Sequence, residues 1–311
     1  MNLPKYLTDK INLVFSEINK NKLKSTQKNL TDKYKNKTGT SKDLISDKDD
    51  SIIYAVSRMP ATYSVIYTLV KTLINQGFLS DINSVIDVGS GTGSVFFALS
   101  DIYDNLNFEL FERNKNMIDI FNKLSDNSIN VNRNDLLKDE INSSADIVTA
   151  SYVLSEMSEV DRQRVFSKLL DCSKKYVLIV DTGTPTTYEN LLKLKDLANS
   201  KGFSIVAPCK CNVCPLKNDY CQFFARVERS RVLLQAKSAT LSYEDEKYFY
   251  LLFSKENVVV DKKRVIRRPI IKENEIELTT CSRNGVIIEK ITKKNKEEFK
   301  KAKKIKINEE M

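Results

Sequence analysis

The chain has 311 residues, 41% apolar and 29% charged, the balance of a folded protein with a sizeable core. Lysine and arginine number 50 against 41 acids, and this net charge of +9 favours phosphate-rich partners. Histidine is absent, which excludes a His-based catalytic triad, a Cys2His2 zinc finger, a His-ligated haem and any imidazole general base. No apolar run approaches the roughly 20 residues that cross a bilayer, so no membrane association is expected. Residues 1–20 lack the apolar centre of a secretory leader, and the early Asp9 and Glu17 speak against a mitochondrial presequence. The expectation is a cytoplasmic, reducing location, where the six cysteines act as ligands or buried thiols rather than disulfides.

In chain order, residues 5–20 predict an amphipathic helix, with Leu7, Ile11, Val14, Phe15 and Ile18 on one face. Residues 20–50 are polar and read as a linker. Residues 51–79 read as helices, the second opened by Pro60; together, 1–80 is an N-terminal helical region. From residue 84, strands near 84–88, 106–111, 147–151, 176–181 and 203–207 alternate with helices near 93–103, 114–125, 158–172 and 187–201. That alternation predicts an α/β fold, a parallel sheet covered on both faces over 81–207 and completed by a strand near 247–254. Residues 208–240 hold a cysteine cluster followed by a basic helix. Residues 257–311 form a basic extension with 16 Lys and Arg against 9 acids. It contains a hairpin, 275–281 and 286–292, turned at Asn284-Gly285, and a closing Lys-rich helix over 293–306.

The densest signal is Asp87-Val88-Gly89-Ser90-Gly91-Thr92-Gly93, which gathers three of the chain's eight glycines where a strand enters a helix. Glycine adopts positive φ and lets backbone approach a ligand closely. The loop lacks the Lys-Ser/Thr of a phosphate-binding NTPase loop. Glu112 ends the second strand, where a carboxylate takes ribose hydroxyls. Asp135 follows a third strand and is placed to contact an adenine, and Asp87 to hold an amino-acid moiety through water. The combination resembles the nucleotide loop of class I S-adenosylmethionine-dependent methyltransferases, with dinucleotide binding as the nearest competitor. No catalytic residue is evident. The Asn/Asp-Pro-Pro-Tyr turn of amino-methylating enzymes is replaced by Ala150-Ser151-Tyr152-Val153-Leu154-Ser155-Glu156.

Cys209, Cys211, Cys214 and Cys221 crowd one short segment, Cys281 follows far downstream, and Cys172 reads as a buried structural thiol. Without histidine, a metal site here is essentially all-thiolate. Zinc and iron–sulfur both accept four thiolates. Only Cys211 and Cys214 have the paired C-x2-C spacing of structural zinc, and Cys214-Pro215 leans towards iron–sulfur; spacing alone leaves both open.

Several segments together resemble one family: the methyltransferase-like proteins of the mitochondrial small ribosomal subunit and their bacterial relatives, the predicted rRNA methylases. They are Tyr54 with Arg58-Met59-Pro60-Ala61-Thr62, the glycine loop, Ser151 to Glu156, Gly183-Thr184-Pro185, Ala207-Pro208-Cys209, Cys214-Pro215-Leu216, Cys221-Gln222-Phe223, Arg226 to Ser230, Tyr243 to Tyr248, Arg264 to Pro269 and Leu278 to Cys281. The resemblance implies a Rossmann-like methyltransferase domain with a metal-binding insertion. It implies S-adenosylmethionine at Asp87, Gly89, Gly91, Gly93, Glu112 and Asp135, and a 4Fe–4S cluster on Cys209, Cys214, Cys221 and Cys281. Lys210-Cys211-Asn212-Val213 departs from the family's Pro-His-Asp pattern after the first ligand, so Cys211 is the alternative to Cys209. The partners implied are rRNA and the small ribosomal subunit, with no DNA and a monomeric chain. Three functions follow as expectations: an rRNA methyltransferase, a non-catalytic assembly factor keeping the fold as scaffold, and a small-molecule methyltransferase.

Overall fold

The computed structural model describes residues 3–18, 23–37, 44–209, 214–216, 219–231, 234, 240–256, 263–282 and 284–311. Four helices come first: α1 (Lys5–Phe15), α2 (Leu23–Lys37), α3 (Lys48–Ser57) and α4 (Met59–Asn75). The apolar face of α1 (Leu7, Ile11, Val14, Phe15) is buried as its spacing predicts. The polar linker expected over 20–50 is corrected: it contains α2 and the start of α3. Its sparse apolar positions, Leu23, Leu30, Leu44 and Ile45, are all buried. Packing of a few anchors stabilises a helix that composition alone would not. Asp47 caps α3 by accepting a hydrogen bond from Asp50 N, and Pro60 lies in the first turn of α4.

The sheet is built from β1 (Ser84–Val88), β2 (Asn107–Glu112), β3 (Val131–Arg133), β4 (Ala145–Ser151), β5 (Ser173–Thr182), β6 (Ser204–Ala207), β7 (Phe223–Glu228) and β8 (Tyr243–Ser254). Its order is β3-β2-β1-β4-β5-β8-β6, with β7 also paired to β8. The first five strands are parallel, and β8 runs antiparallel to β5, β6 and β7. One reversed strand, β8, thus lies between β5 and β6 of an otherwise parallel, Rossmann-like sheet. Runs such as Val177–Val180 are buried throughout, as strands covered on both faces require. The covering helices are α5 (Ser94–Ser100), α6 (Lys115–Ser125), α7 (Glu159–Asp171), α8 (Pro185–Leu192) and α9 (Lys195–Ser200). The single helix expected over 187–201 is thus two.

Between the cysteines and the expected basic helix the structure has a strand, β7, and residues 232–233 and 235–239 of that expected helix lie outside the described residues. Both β6 and β7 lie along the same edge of β8, with Ala207 opposite Leu252 and Phe223 opposite Tyr248. The cysteine segment thus lies in sequence between two strands on one edge of β8, and residues 210–213 and 217–218 lie outside the described residues. The tail forms a second sheet of β9 (Arg264–Val265), β10 (Ile270–Ile271), β11 (Glu275–Ser282) and β12 (Gly285–Thr292). Its small core of Ile276, Leu278 and Ile291 is closed by Phe299 and Ala302 of α10 (Lys296–Ala302). No described helix is long and apolar enough to cross a membrane.

Candidate functional site

Two concave regions collect the residues singled out in the sequence. The first lies at the carboxyl ends of β1, β2 and β4. Gly89, Gly91 and Gly93 have φ of +64°, +56° and +88°. A Cβ on Gly89 would stand 2.4 Å from Val153, and one on Gly93 2.4 Å from Phe121, both inside contact distance. On Gly91 it would meet only the flexible end of Met117, at 3.3 Å. Glu112 closes the loop: its carboxylate accepts from Gly91 N at 3.0 Å and Asn114 N at 2.8 Å. Burial pushes its pKa up. Asn114 in turn caps α6 and donates to Ile45 O at 2.9 Å, which ties the N-terminal segment to the loop.

Gly89, Gly91, Glu112, Asn134 and Asp135 line a cavity of about 120 Å³. Asp87 and Gly93 lie behind it. Asp87 is buried; its Oδ1 accepts from Thr149 Oγ1 at 2.6 Å and its Oδ2 has no partner among the described residues. Burial pushes its pKa up to about 7. Asp135 works locally, accepting from Leu137 N at 3.1 Å and pairing with Lys138. Burial acts to raise its pKa, but these contacts outweigh it and the net shift is downward. Sequence reasoning missed most of the outer wall, Tyr34 of α2, Leu44 and Ile45, which stand beside Tyr54 of α3. Its signal was the isolated apolar residues inside the polar 20–50 stretch.

A larger cavity of about 830 Å³ adjoins the first, sharing Tyr34, Tyr54, Tyr152 and Glu156 with it. Its floor is the turn after β4. Tyr152 has a left-handed φ of +59°, a strained conformation for an aromatic residue. The turn is fixed from beneath. Arg162, buried, donates to Leu154 O and Met157 O, both at 2.9 Å, and Asp181, fully buried, accepts from Ser155 N at 2.9 Å. Arg58 lies over the Tyr152 ring at 5.9 Å and pairs with Glu246 at 3.0 Å.

The second region is assembled from the insertion and the tail. Cys209, Cys214, Cys221 and Cys281 line one cavity of about 260 Å³, together with Tyr188 and Arg264. Cys281 stands opposite Arg264 in the β9–β11 pairing. Arg264 Nη2 donates to Cys221 Sγ at 3.1 Å, and Tyr188 Oη lies 2.8 Å from Cys214 Sγ. Asp219 of the insertion pairs with Arg267 of the tail. Burial, then the neighbouring Cys209, pushes the Cys281 thiol up to about 11. Cys211 lies outside the described residues. Among the described residues no group of three or more Cys, Asp or Glu is gathered as for a single metal ion. Cys172 stays apart, buried with its Sγ 3.6 Å from Ile141 O.

Comparison with known proteins yields one family. The family model for the mitochondrial small ribosomal subunit protein Rsm22 matches residues 48–310. No curated protein matches the chain closely enough to count as a relative. Similar solved structures include the magnesium protoporphyrin IX methyltransferase of Synechocystis PCC 6803 with bound SAM, at 13% identity and a TM-score of 0.43, over 76% of this chain and 95% of that one. Another is a candidate RNA methyltransferase of Pyrococcus horikoshii, at 15% identity and a TM-score of 0.40, over 74% of this chain and 96% of that one.

Proposed function

Because the chain belongs to the Rsm22 family of the mitochondrial small ribosomal subunit, we propose that it is an rRNA-contacting, S-adenosylmethionine-fold protein of small-subunit assembly that methylates rRNA. The observation that carries the cofactor is the glycine loop with Glu112 beneath it. Two left-handed glycines, Gly89 and Gly91, and the half-buried Glu112 line a cavity that adjoins a second, acceptor-sized one. Gly89, Gly91, Glu112 and Asp135 would hold the nucleoside, and the orphaned Oδ2 of buried Asp87 fits a water-bridged amino group. Bound there, S-adenosylmethionine supplies a transferable methyl group. The protein's part is positioning: Arg162 and Asp181 lock the Ser151–Glu156 turn, and α2 and α3 exclude water. The basic tail would give salt-dependent phosphate contacts that position rather than specify.

What supports reading Cys209, Cys214, Cys221 and Cys281 as the ligands of a 4Fe–4S cluster, with zinc as the alternative, is the family resemblance together with their lining one cavity. The four thiols surround about 260 Å³ of space and are not drawn together as for one ion. A cluster there would clamp the insertion to the tail, and its loss would amount to local unfolding.

One feature favours the scaffold reading. The cavity at the glycine loop, about 120 Å³, is below the roughly 300 Å³ of an ordinary ligand pocket. Calorimetric titration with S-adenosylmethionine, followed by methyl incorporation into small subunits, separates the readings. Binding with incorporation is expected. Binding without it leaves the scaffold, and failure to co-sediment with small subunits at low salt leaves a small-molecule enzyme.

A further inference from the structure

Arg264 is 7% exposed, and its charge cannot be shed by deprotonation. Its guanidinium carbon lies 4.6 Å from the centre of the Phe223 ring. Its one hydrogen-bond partner among the described residues is a sulfur, Cys221 Sγ, and its Nε and Nη1 have none. A buried guanidinium with three idle N–H groups, one on Nε and two on Nη1, is costly, and such orphans in a folded protein call for a water or an anion. The groups that face it are Cys221, Cys209, Tyr250 and Cys281. No carboxylate pairs with it among the described residues. Its backbone belongs to β9, which joins Cys281 of β11 on one side and the last residues on the other: Val265 N donates to Glu309 O at 2.9 Å, and Asn308 N to Val265 O at 2.7 Å. The guanidinium is thus fixed at both ends of its strand and held over an aromatic face.

We propose that Arg264 is the outer-sphere cation of the cysteine site, donating its N–H groups to the sulfur atoms of the bound cluster and offsetting their negative charge. The inference rests on the iron–sulfur reading above. A cubane cluster on four thiolates is net anionic, and hydrogen bonds to its sulfurs together with nearby charge set its potential. The reduced form carries one more negative charge, so a fixed cation favours it. Tyr188, donating to Cys214 Sγ, is the weaker, uncharged counterpart. Arg264 is a positioning residue: it touches the ligand sulfurs, not the iron.

The test is an anaerobic, mediator-equilibrated reductive titration of the full-length protein carrying its cluster, followed by the electron paramagnetic resonance of the reduced form. Relative to the unsubstituted protein, Arg264→Gln moves the midpoint to more negative potential. Arg264→Lys moves it less, since the charge stays and the planar fork is lost. Tyr188→Phe moves it least. A loaded Arg264→Gln protein with an unshifted midpoint overturns the inference and leaves the iron–sulfur reading intact. Where the Gln variant does not fold or load, Arg264→Lys decides, and an unchanged midpoint with an unchanged resonance signal overturns the proposal. Unsubstituted protein that takes up zinc and no iron overturns both, and does so before any variant is made.

Discussion

The glycine-loop pocket and the cysteine cavity are built by opposite means. The first draws its central residues from one strand–turn–helix, with Glu112 from the adjacent strand in register. Its shape is set by backbone geometry, and bulk at Gly89 or Gly93 collides with packed side chains. The second has no local logic. Its four sulfurs come from Cys209, Cys214 and Cys221, between β6 and β7 in sequence, and from Cys281 of β11, joined by Arg264 and by the Asp219–Arg267 pair. A pocket of the first kind exists whether or not a ligand is present. A site of the second kind brings together groups whose burial is unfavourable until something binds them.

The contrast breaks most readily at Cys281. Replacing it by Ser removes a proposed ligand while leaving the glycine loop untouched, so S-adenosylmethionine binding is expected to persist while the tail loosens. Limited proteolysis within 263–311 should accelerate about tenfold or more as the clamp becomes a local unfolding equilibrium. Unchanged cleavage would place the tail's stability in its own small core instead.

At the other site, Gly93→Ala combines positive φ with a Cβ 2.4 Å from Phe121. Strain and overpacking together should cost about 3 kcal/mol in urea unfolding, with iron content unaffected. Asp87 gives a pH signature of definite sign. Its folded pKa lies near 7 against an ordinary 3.8, because burial disfavours the carboxylate. The folded state therefore binds more protons than the unfolded one between those values, and stability falls as pH rises through that window. Asp87→Asn keeps the acceptor for Thr149 and removes the charge. It should match the unsubstituted protein near pH 4 and exceed it by a few kcal/mol at pH 8; equal stability at both pH values would mean that Asp87 ionises normally. Smallest in stability is Gly91→Ala. Its Cβ meets only the end of Met117 at 3.3 Å, so the cost should be about 1 kcal/mol of backbone strain. Affinity for S-adenosylmethionine should fall more than stability does, the reverse of Gly93→Ala.

Much of this was readable from the sequence, and the reasons differ by region. The strand–helix alternation from residue 84 was legible because buried parallel strands are apolar throughout and their helices are amphipathic. The reversed β8 was expected as a final strand; its early start at Tyr243 was hidden because β7 covers its polar half. That strand, Phe223–Glu228, was itself masked by the basic residues that follow it. The largest misreading was residues 20–50. Leu23, Leu30, Leu44 and Ile45 are too few for a periodic signal, yet each is buried, and Tyr34 from this stretch walls both the cofactor cavity and its neighbour. Glu112 and Asp135 were chosen by position alike, but they differ in role: Glu112 anchors the loop amide, while Asp135 mainly organises its own turn. Arg264 was singled out only as part of the Arg264–Pro269 segment, and its place beside the cysteines was not legible, since it is one among many cations of a basic tail.

The central claim is that distant segments of one chain close around a shared inorganic core. Iron and acid-labile sulfide analysis of anaerobically purified protein, read beside its visible spectrum, tests it most directly. The account predicts brown protein with about four iron and four sulfide per chain, and colourless protein when Cys281 is replaced. Colourless anaerobic protein, or brown protein whose iron survives loss of Cys281, would contradict it.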